Sequence, residues 1–239
     1  MRVLGVSAVV ACVLASSVVM LAPAQGAAPK PVVAKMPSFP AAGPVAIPTV
    51  IARAKPSDAA RRVAIIHQFR DDYRAQYVLA IRGTRDKKGA VWVQLRLQLR
   101  PNGTLGWVRA SQLQLSTMHY KIVVHRGLRK IDLYRDGGLA YEAAVAIGAP
   151  GRETPLGNYY VTARFIPDDP FLGVFAVETS AYSKLTEWPG GGLVGIHGTS
   201  APQLIGQAVS HGCVRVLNTT AVQLRKFAPL GTPISIVAN

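Results

Sequence analysis

The most informative part of this sequence is a pair of motifs near the carboxyl end: Gly195-Ile196-His197-Gly198-Thr199 and, after eleven further residues, His211-Gly212-Cys213-Val214-Arg215. A thiol attacks carbonyl groups as the thiolate, and at a pKa of about 8.5 only a few per cent of it is ionised at neutral pH. A histidine within hydrogen-bond reach takes the thiol's proton and later protonates a leaving amine. The two motifs therefore predict a Cys-His site with Cys213 as the nucleophile.

Two histidines are candidates for the base. His197 ends an apolar run at residues 193–196 that predicts a strand, so it can approach the thiol from the side. His211 lies on the cysteine's own segment, where neither side chain naturally points at the other. We therefore predict His197 as the base. The amide N–H groups of Gly212 and Cys213 are the predicted donors to a developing oxyanion.

Two other interpretations use the same residues. A zinc site would take His197, His211 and Cys213, but closed structural sites have four ligands and no Cys-x-x-Cys pair supports one. A buried cysteine beside core histidines is common in proteins, but the polar, glycine-bearing segment 210–213 is not typical of a core. We predict no metal and no cofactor.

The segment from Ile196 to Arg215 resembles the signature of L,D-transpeptidase (YkuD-type) catalytic domains. The His-Gly pair, the spacing and the Ser-His-Gly-Cys-x-Arg box carry the resemblance, which covers residues 117–239. The Thr-Pro-x-Gly sequence at 154–157 resembles a segment on the floor of the family's substrate cleft. The resemblance implies a β-rich fold and a Cys-His site whose third partner is the backbone carbonyl of Gly198, without metal or nucleotide.

The resemblance also implies which residues surround the substrate. Arg215 is expected to shape the loop or meet a carboxylate, and Tyr182 belongs to a segment, 164–192, that is either a lid over the cleft or ordinary packing. The predicted substrate-binding residues are Thr154, Pro155, Gly157, Tyr182, Thr199, Ser210, His211 and Arg215.

The activity implied by the resemblance is the joining of peptidoglycan stem peptides. Cys213 would attack the third residue of a tetrapeptide stem, expel the terminal D-alanine and pass the acyl group from a thioester to the side-chain amine of a neighbouring stem, which gives a 3→3 cross-link. The same site serves an L,D-carboxypeptidase or an enzyme that attaches proteins to the wall. A non-catalytic wall-binding protein is the alternative from another class. Carbapenem-type inhibitors are expected to react with the thiol.

The amino-terminal residues have the order of a secretory signal: one basic residue, a long apolar run and small residues at 22–24. We predict a cleaved signal peptide at residues 1–24, which leaves Cys213 as the single cysteine of the mature chain. An uncleaved membrane anchor is the alternative, since about 20 apolar residues span a bilayer; lipidation at Cys12 is another. The expected location is the cell wall, outside the cytoplasm.

Composition divides the remaining chain into three parts. Residues 25–48 are rich in proline and alanine and predict a semi-rigid linker. Residues 49–116 predict short strands that resemble the small SH3-like barrels of wall enzymes; strands that pack on the neighbouring domain without a ligand of their own are the alternative. Residues 117–239 predict a mainly β, sandwich-like catalytic domain.

One or two helices are expected to cover that catalytic domain. The first prediction is a short helix at 202–209, and the second is a helix at 219–228 with Asn218 as its N-cap. A Thr-Pro-x-Gly turn and an Asp-Gly hairpin at 136–137 separate the predicted strands.

The charge balance bears on the partners. The chain has 27 Lys and Arg residues against 12 Asp and Glu, a net charge of +15. For an exported protein we expect no nucleic acid. Two interpretations of the charge stay open: a surface that concentrates the protein on anionic wall polymers, or a generally cationic solvated surface without a dedicated site. A membrane is a partner only if the signal segment stays uncleaved.

Overall fold

Two large sheets and one small sheet make up most of the chain. The structure, a computed structural model, describes residues 35–187 and 189–239. The predicted signal peptide at 1–24 and the first ten residues of the predicted linker lie outside the described residues. The described residues contain no helix that is long and apolar enough to cross a membrane.

The first large sheet is called the N-terminal sheet here. Its strand order is β3-β2-β6-β5-β4-β1-β7 and its pairings are antiparallel. The strands are Ala41–Pro44 (β1), Thr49–Arg53 (β2), Arg62–His67 (β3), Tyr77–Arg85 (β4), Val91–Arg96 (β5), Leu105–Arg109 (β6) and Ser116–Thr117 (β7). Its SH3-like character remains a prediction.

The predicted linker at 25–48 is too long, because strand β1 lies inside it. Ala41 pairs with Ala80 of β4 and is fully buried. The prolines of this stretch flank the buried alanines instead of interrupting them, so the backbone at 41–43 is free to pair. The ordered sheet therefore begins before residue 49.

The second large sheet is called the catalytic sheet and has the order β10-β9-β8-β17-β12-β13-β14-β16, while β11 and β15 form a separate pair. The strands are Tyr120–His125 (β8), Lys130–Arg135 (β9), Gly138–Ala144 (β10), Ile147–Gly148 (β11), Gly157–Phe165 (β12), Ala176–Tyr182 (β13), Leu193–His197 (β14), Ala208–Ser210 (β15), Val214–Arg215 (β16) and Pro233–Val237 (β17). The mainly β fold class is confirmed.

The predicted hairpin at Asp136-Gly137 is confirmed. Both residues have positive φ, 49° and 83°, which matches the right-handed twist of the strands that they join, β9 and β10. Ile131 and Leu133 of β9 are fully buried, so this hairpin fixes which face of the sheet meets the core.

Only one α-helix is present among the described residues, α1 (Asn218–Phe227). It packs on the catalytic sheet through Ala221, Leu224 and Phe227, which share one face at a spacing of three. The predicted helix at 202–209 is wrong: a single 3-10 turn at Pro202–Leu204 is followed by strand β15.

Of the two interpretations of 164–192, a lid or ordinary packing, packing accounts for the middle of the segment. Strand β13 (Ala176–Tyr182) occupies the middle of this segment and pairs with β12 and β14. Its buried Thr179 and Ser180 hide the apolar alternation by which strands are recognised in a sequence. The stretch at 183–192, which joins β13 to β14, is called the site loop below.

The two large sheets contact each other directly. The Arg70 guanidinium donates to Glu178 of β13 at 2.6 Å and to the carbonyl of Thr162 at 3.4 Å. Leu79 and Tyr160, one from each sheet, are buried in a shared apolar cluster. Residues of the N-terminal sheet are therefore within reach of the strands that carry the catalytic motifs.

Candidate active site

Strands β14 and β16 bring the two motifs together. They pair in parallel, with Ile196 opposite Val214 and His197 opposite Arg215. Cys213 directly precedes β16, and the Gly195 N–H donates to its Sγ at 3.3 Å. The two motifs, which are separated in the sequence, therefore lie side by side in the fold.

The ring of His197 faces the same space as the thiol. A Cβ placed on Gly195 would lie 3.8 Å from His197 Cδ2 and 4.0 Å from Cys213 Sγ. His197 Nδ1 lies 2.6 Å from the Gly198 carbonyl oxygen. Because a carbonyl only accepts, Nδ1 carries the proton and Nε2 is left with a lone pair.

The electrostatics of this pair favour uncharged forms. Burial, with a smaller contribution from the positive charge of Arg215, lowers the pKa of His197 to about 4 against the opposing effect of the Gly198 carbonyl. Burial likewise raises the pKa of the Cys213 thiol above its ordinary value, although the Gly195 N–H and Arg215 act in the other direction. At neutral pH the resting site therefore holds a thiol and a neutral imidazole.

The hydroxyls of Ser210 and Thr154 bond to the backbone of residues 212 and 213, which are called the cysteine loop here. Ser210 Oγ donates to the Cys213 carbonyl at 2.6 Å and accepts from the Gly212 N–H at 3.1 Å. Thr154 Oγ1 donates to the Gly212 carbonyl at 2.9 Å and accepts from the Gly148 N–H at 2.9 Å. These bonds satisfy both backbone groups of Gly212.

The predicted role of Gly212 as an oxyanion donor is therefore corrected, since its N–H is occupied by Ser210. The Cys213 N–H, in contrast, has no hydrogen-bond acceptor among the residues that the structure describes. Gly212 has a different requirement: its φ is 122°, and a Cβ there would lie 2.9 Å from Ser183 Cβ. Only glycine fits this backbone conformation and this contact without strain.

Three predicted substrate-binding residues belong to the scaffold instead. Thr154, Thr199 and Ser210 are at most 3% exposed, and each hydroxyl already bonds the backbone; Thr199 Oγ1 accepts from the Ala201 N–H at 3.0 Å. Each of these hydroxyls thus already has a backbone partner and little exposed surface, so its main contribution is to hold the backbone.

Arg215 is buried beside the thiol. Its guanidinium carbon lies 4.6 Å from the centre of the Phe171 ring, and its Nε is buried without a hydrogen-bond partner among the described residues. A buried guanidinium N–H of this kind is a donor for an incoming carboxylate or carbonyl.

The other predicted contacts reach the surface. Pro155 and Tyr182 line a cleft of about 560 Å³, and Gly157 lies nearby at the start of β12. His211 is half-buried and contacts Arg152, and its pKa is lowered by burial and by the charges of two neighbouring arginines. The full lining of the cleft is Arg100, Asn102, Arg126, Glu153, Pro155, Leu156, Tyr182, Ser183 and Lys184.

Sequence reasoning missed Asn218, Arg100 and Asn102. Asn218 is not the N-cap of α1; its Oδ1 accepts from the Val174 N–H at 3.3 Å and the Thr199 N–H at 3.2 Å. It thereby ties two loops together beside Gly198. No local pattern signals such contacts, because the partners are distant in the sequence.

Within residues 35–187 and 189–239, no group of three or more His, Cys, Asp or Glu side chains is placed to hold a metal ion. His197, His211 and Cys213, the ligands of the zinc interpretation, therefore do not form such a group.

Known sequences that are similar to this chain include L,D-transpeptidases. The sequence model of the YkuD family, described as an L,D-transpeptidase catalytic domain, matches residues 119–236. YkuD of Bacillus licheniformis, provisionally named an L,D-transpeptidase, is 32% identical over 151 residues, which are 60% of this chain and 85% of the relative. The chain belongs to the YkuD family of L,D-transpeptidases. YkuD of Bacillus subtilis is 31% identical over 121 residues, 50% of this chain and 67% of that protein.

Solved L,D-transpeptidases share lower identity with this YkuD-family chain. The Enterococcus faecium L,D-transpeptidase C442S mutant is 21% identical with a TM-score of 0.41, and the match covers 50% of each chain. L,D-transpeptidase LdtMt1 in complex with imipenem is 16% identical with a TM-score of 0.42, covering 62% of this chain and 90% of the other.

Proposed function

We propose that this chain is a peptidoglycan L,D-transpeptidase that forms 3→3 cross-links with Cys213 as its nucleophile. The observation that carries the proposal is the shared space above Gly195, into which both the Cys213 thiol and the His197 ring face. The Gly198 carbonyl holds the His197 tautomer that leaves Nε2 unprotonated, as a general base requires.

The first half of the reaction is acylation of the thiol. His197 Nε2 takes the thiol proton as Sγ attacks the carbonyl of the third stem residue, because the neutral thiol and neutral imidazole of the resting site exchange the proton only during attack. The Cys213 N–H donates to the developing oxyanion. Collapse breaks the C–N bond, and His197 returns the proton to the amine of the departing D-alanine.

The second half is transfer of the acyl group. The side-chain amine of a neighbouring stem attacks the thioester, His197 takes the proton of this amine, and the Cys213 thiol is regenerated as the C–S bond breaks. Water in place of the amine makes the chain an L,D-carboxypeptidase, and a protein amine makes it a wall-attachment enzyme.

Arg215 is the residue we assign to substrate charge. Its buried Nε is unpaired within the described part of the chain, so a stem carboxylate or carbonyl that reaches the site gains a desolvated donor. Pro155, Gly157, Tyr182 and His211 are the proposed surface contacts with the peptide.

Digestion of purified sacculi tests the proposal. Wild-type protein is expected to produce 3→3 cross-linked muropeptides and release D-alanine, and the Cys213→Ala variant is expected to produce neither. D-alanine release without cross-links would assign the carboxypeptidase, and binding of sacculi by both proteins without any product would assign a non-catalytic wall-binding protein.

Intact mass after carbapenem treatment gives an independent reading of the thiol. We propose that a carbapenem acylates Cys213, so wild-type protein gains the mass of one opened lactam while Cys213→Ala gains none. An unchanged wild-type mass would contradict the proposed nucleophile.

We also propose that the chain acts outside the cytoplasm, where anionic wall polymers surround it. The order of residues 1–24 and the net charge of +15 support this location. Sequencing of the exported protein is expected to find Gln25 at the amino terminus; a protein that still starts at Met1 would favour an uncleaved anchor.

A further inference from the structure

A turn of the N-terminal sheet reaches the site loop. The turn lies between β5 and β6 and carries Arg100. The Arg100 guanidinium donates to the carbonyls of Ser183 at 2.8 Å, Gly191 at 2.9 Å and Leu185 at 3.5 Å. A single side chain from one sheet thus binds backbone groups near both ends of a loop in the other.

Asn102, two residues further along the same turn, binds Tyr182, the residue directly before the site loop. Its Nδ2 donates to the Tyr182 carbonyl at 2.7 Å, and its Oδ1 accepts from the Tyr182 N–H at 3.0 Å. This reciprocal pair imitates the backbone pairing of a neighbouring strand. The Arg100 guanidinium also stacks on the Tyr182 ring, 4.7 Å from its centre.

Three consecutive glycines lie near the end of the site loop. Gly190, Gly191 and Gly192 all have positive φ, and glycine is the residue that loses most conformational freedom on ordering. A Cβ on Gly192 would lie 1.9 Å from the Leu185 carbonyl oxygen and 2.9 Å from Arg100 Nη2. At Gly192 the backbone of the loop therefore lies close both to Leu185 and to the Arg100 guanidinium.

The position of this loop sets the position of the nucleophile segment. Ser183 is buried, its N–H donates to the Gly192 carbonyl at 2.8 Å, and its Cβ fills the space beside Gly212, next to Cys213. Tyr182 pairs with Leu193, the first residue of the strand that carries His197. A shift of the loop therefore moves the surroundings of both reacting groups.

The same turn also forms a wall of the cleft. Arg100 and Asn102 line it on one side, while Pro155 and Leu156 come from the catalytic domain. A substrate that enters this cleft meets residues of both sheets.

We propose that Arg100 and Asn102 are positioning residues of the active site, so that the N-terminal sheet is a required part of the catalytic unit. The inference deepens the proposed function and rests on it, since the site they position is that of Cys213. A misplacement of about 1 Å near reacting groups costs on the order of a hundredfold in rate. Neither residue touches the reacting atoms.

The test uses the full-length mature protein with Arg100→Ala, Arg100→Lys and Asn102→Ala. The matched control is Arg74→Ala, because Arg74 also donates across the two sheets to a backbone carbonyl, that of Arg164 at 3.3 Å, but does not contact the site loop. The readouts are kcat and KM for D-alanine release from a soluble tetrapeptide, hydrogen exchange of residues 183–192, and the pH profile of Cys213 alkylation by iodoacetamide.

We expect Arg100→Ala and Asn102→Ala to lower kcat by about ten- to a hundredfold on the soluble peptide, with a smaller change in KM. Amide exchange in 183–192 is expected to rise and the alkylation profile to shift, with Arg100→Lys in between because lysine lacks the planar fork. The control is expected to stay within twofold of wild type on every readout.

Variants that match Arg74→Ala on all three readouts would overturn the proposal. If wild-type protein does not turn over the peptide, the proposed function fails, but exchange and alkylation still decide whether Arg100 and Asn102 hold the site loop. Faster exchange with an unchanged alkylation profile and unchanged kcat would also overturn the proposal, since the loop would then move without affecting Cys213.

Discussion

The two histidines of the catalytic motifs lie in contrasting surroundings. His197, at the end of β14, is buried, and its Nδ1 proton is committed to the Gly198 carbonyl. His211, two residues before Cys213, is half-buried and contacts Arg152 in a loop. The contrast teaches that a base is better identified by what fixes its tautomer than by its distance along the chain from the nucleophile.

The largest expected effect sharpens this contrast directly. His197→Ala should lower kcat/KM on a soluble tetrapeptide by about 10² to 10⁴, the usual contribution of a general base. The measurement is D-alanine release, with circular dichroism as the control for folding. If His197→Ala loses no more activity than His211→Ala, then His197 is not the base.

The second effect concerns stability in acid. The folded-state pKa of His197 is lowered from 6.5 to about 4, so between these pH values the unfolded chain binds a proton that the folded chain does not. Stability therefore falls as pH decreases through this window, by on the order of 3 kcal/mol at pH 4.

Urea unfolding of wild type and His197→Gln at pH 7 and pH 4 measures this contribution. The wild-type free energy of unfolding should fall more than that of the variant by roughly that amount, because glutamine does not titrate. Equal losses in the two proteins would show that His197 keeps an ordinary pKa in the folded state.

A third prediction concerns the pH profile of turnover. A base acts only when unprotonated, so kcat/KM of the wild type should stay near its pH 7 value at pH 5.5 and decline only as pH approaches about 4. A base with an ordinary pKa of 6.5 would already have lost about tenfold at pH 5.5. Initial rates in buffers of constant ionic strength distinguish the two.

The smallest effect is expected at His211. His211→Ala removes the contact with Arg152 but leaves the bonds that Ser210 and Thr154 make to the cysteine loop. A loss of a few-fold, varying between peptide and sacculus substrates, is expected from steady-state rates on each. A uniform loss of more than a hundredfold on both substrates would remove the distinction between the two histidines.

Much of the catalytic domain was predictable from local pattern. The alternation at 130–135 and the Asp-Gly turn after it specify a hairpin, and the apolar run before His197 specifies a strand. Because parallel strands β14 and β16 are neighbours, the two motifs that these strands carry meet. Local periodicity and chemical type therefore predicted that the segments of His197 and Cys213 meet.

Other features depend on tertiary contacts that a single sequence does not encode locally. Thr154 and Ser210 belong to the predicted motifs, yet their hydroxyls face inward to the backbone. Strand β13 lacks apolar alternation because polar side chains such as Thr179 are buried and bonded, in this case to the Val194 carbonyl. Arg100 and the loop that it binds are more than 80 residues apart.

The neutral thiol of the resting site has a consequence for its oxidation. Oxidants attack the thiolate far faster than the thiol. Cys213 is half-buried, and burial raises its pKa, so little thiolate is present before a substrate arrives. In the proposed mechanism the thiol ionises only during attack on the substrate, so the resting site is slow to form a sulfenic acid.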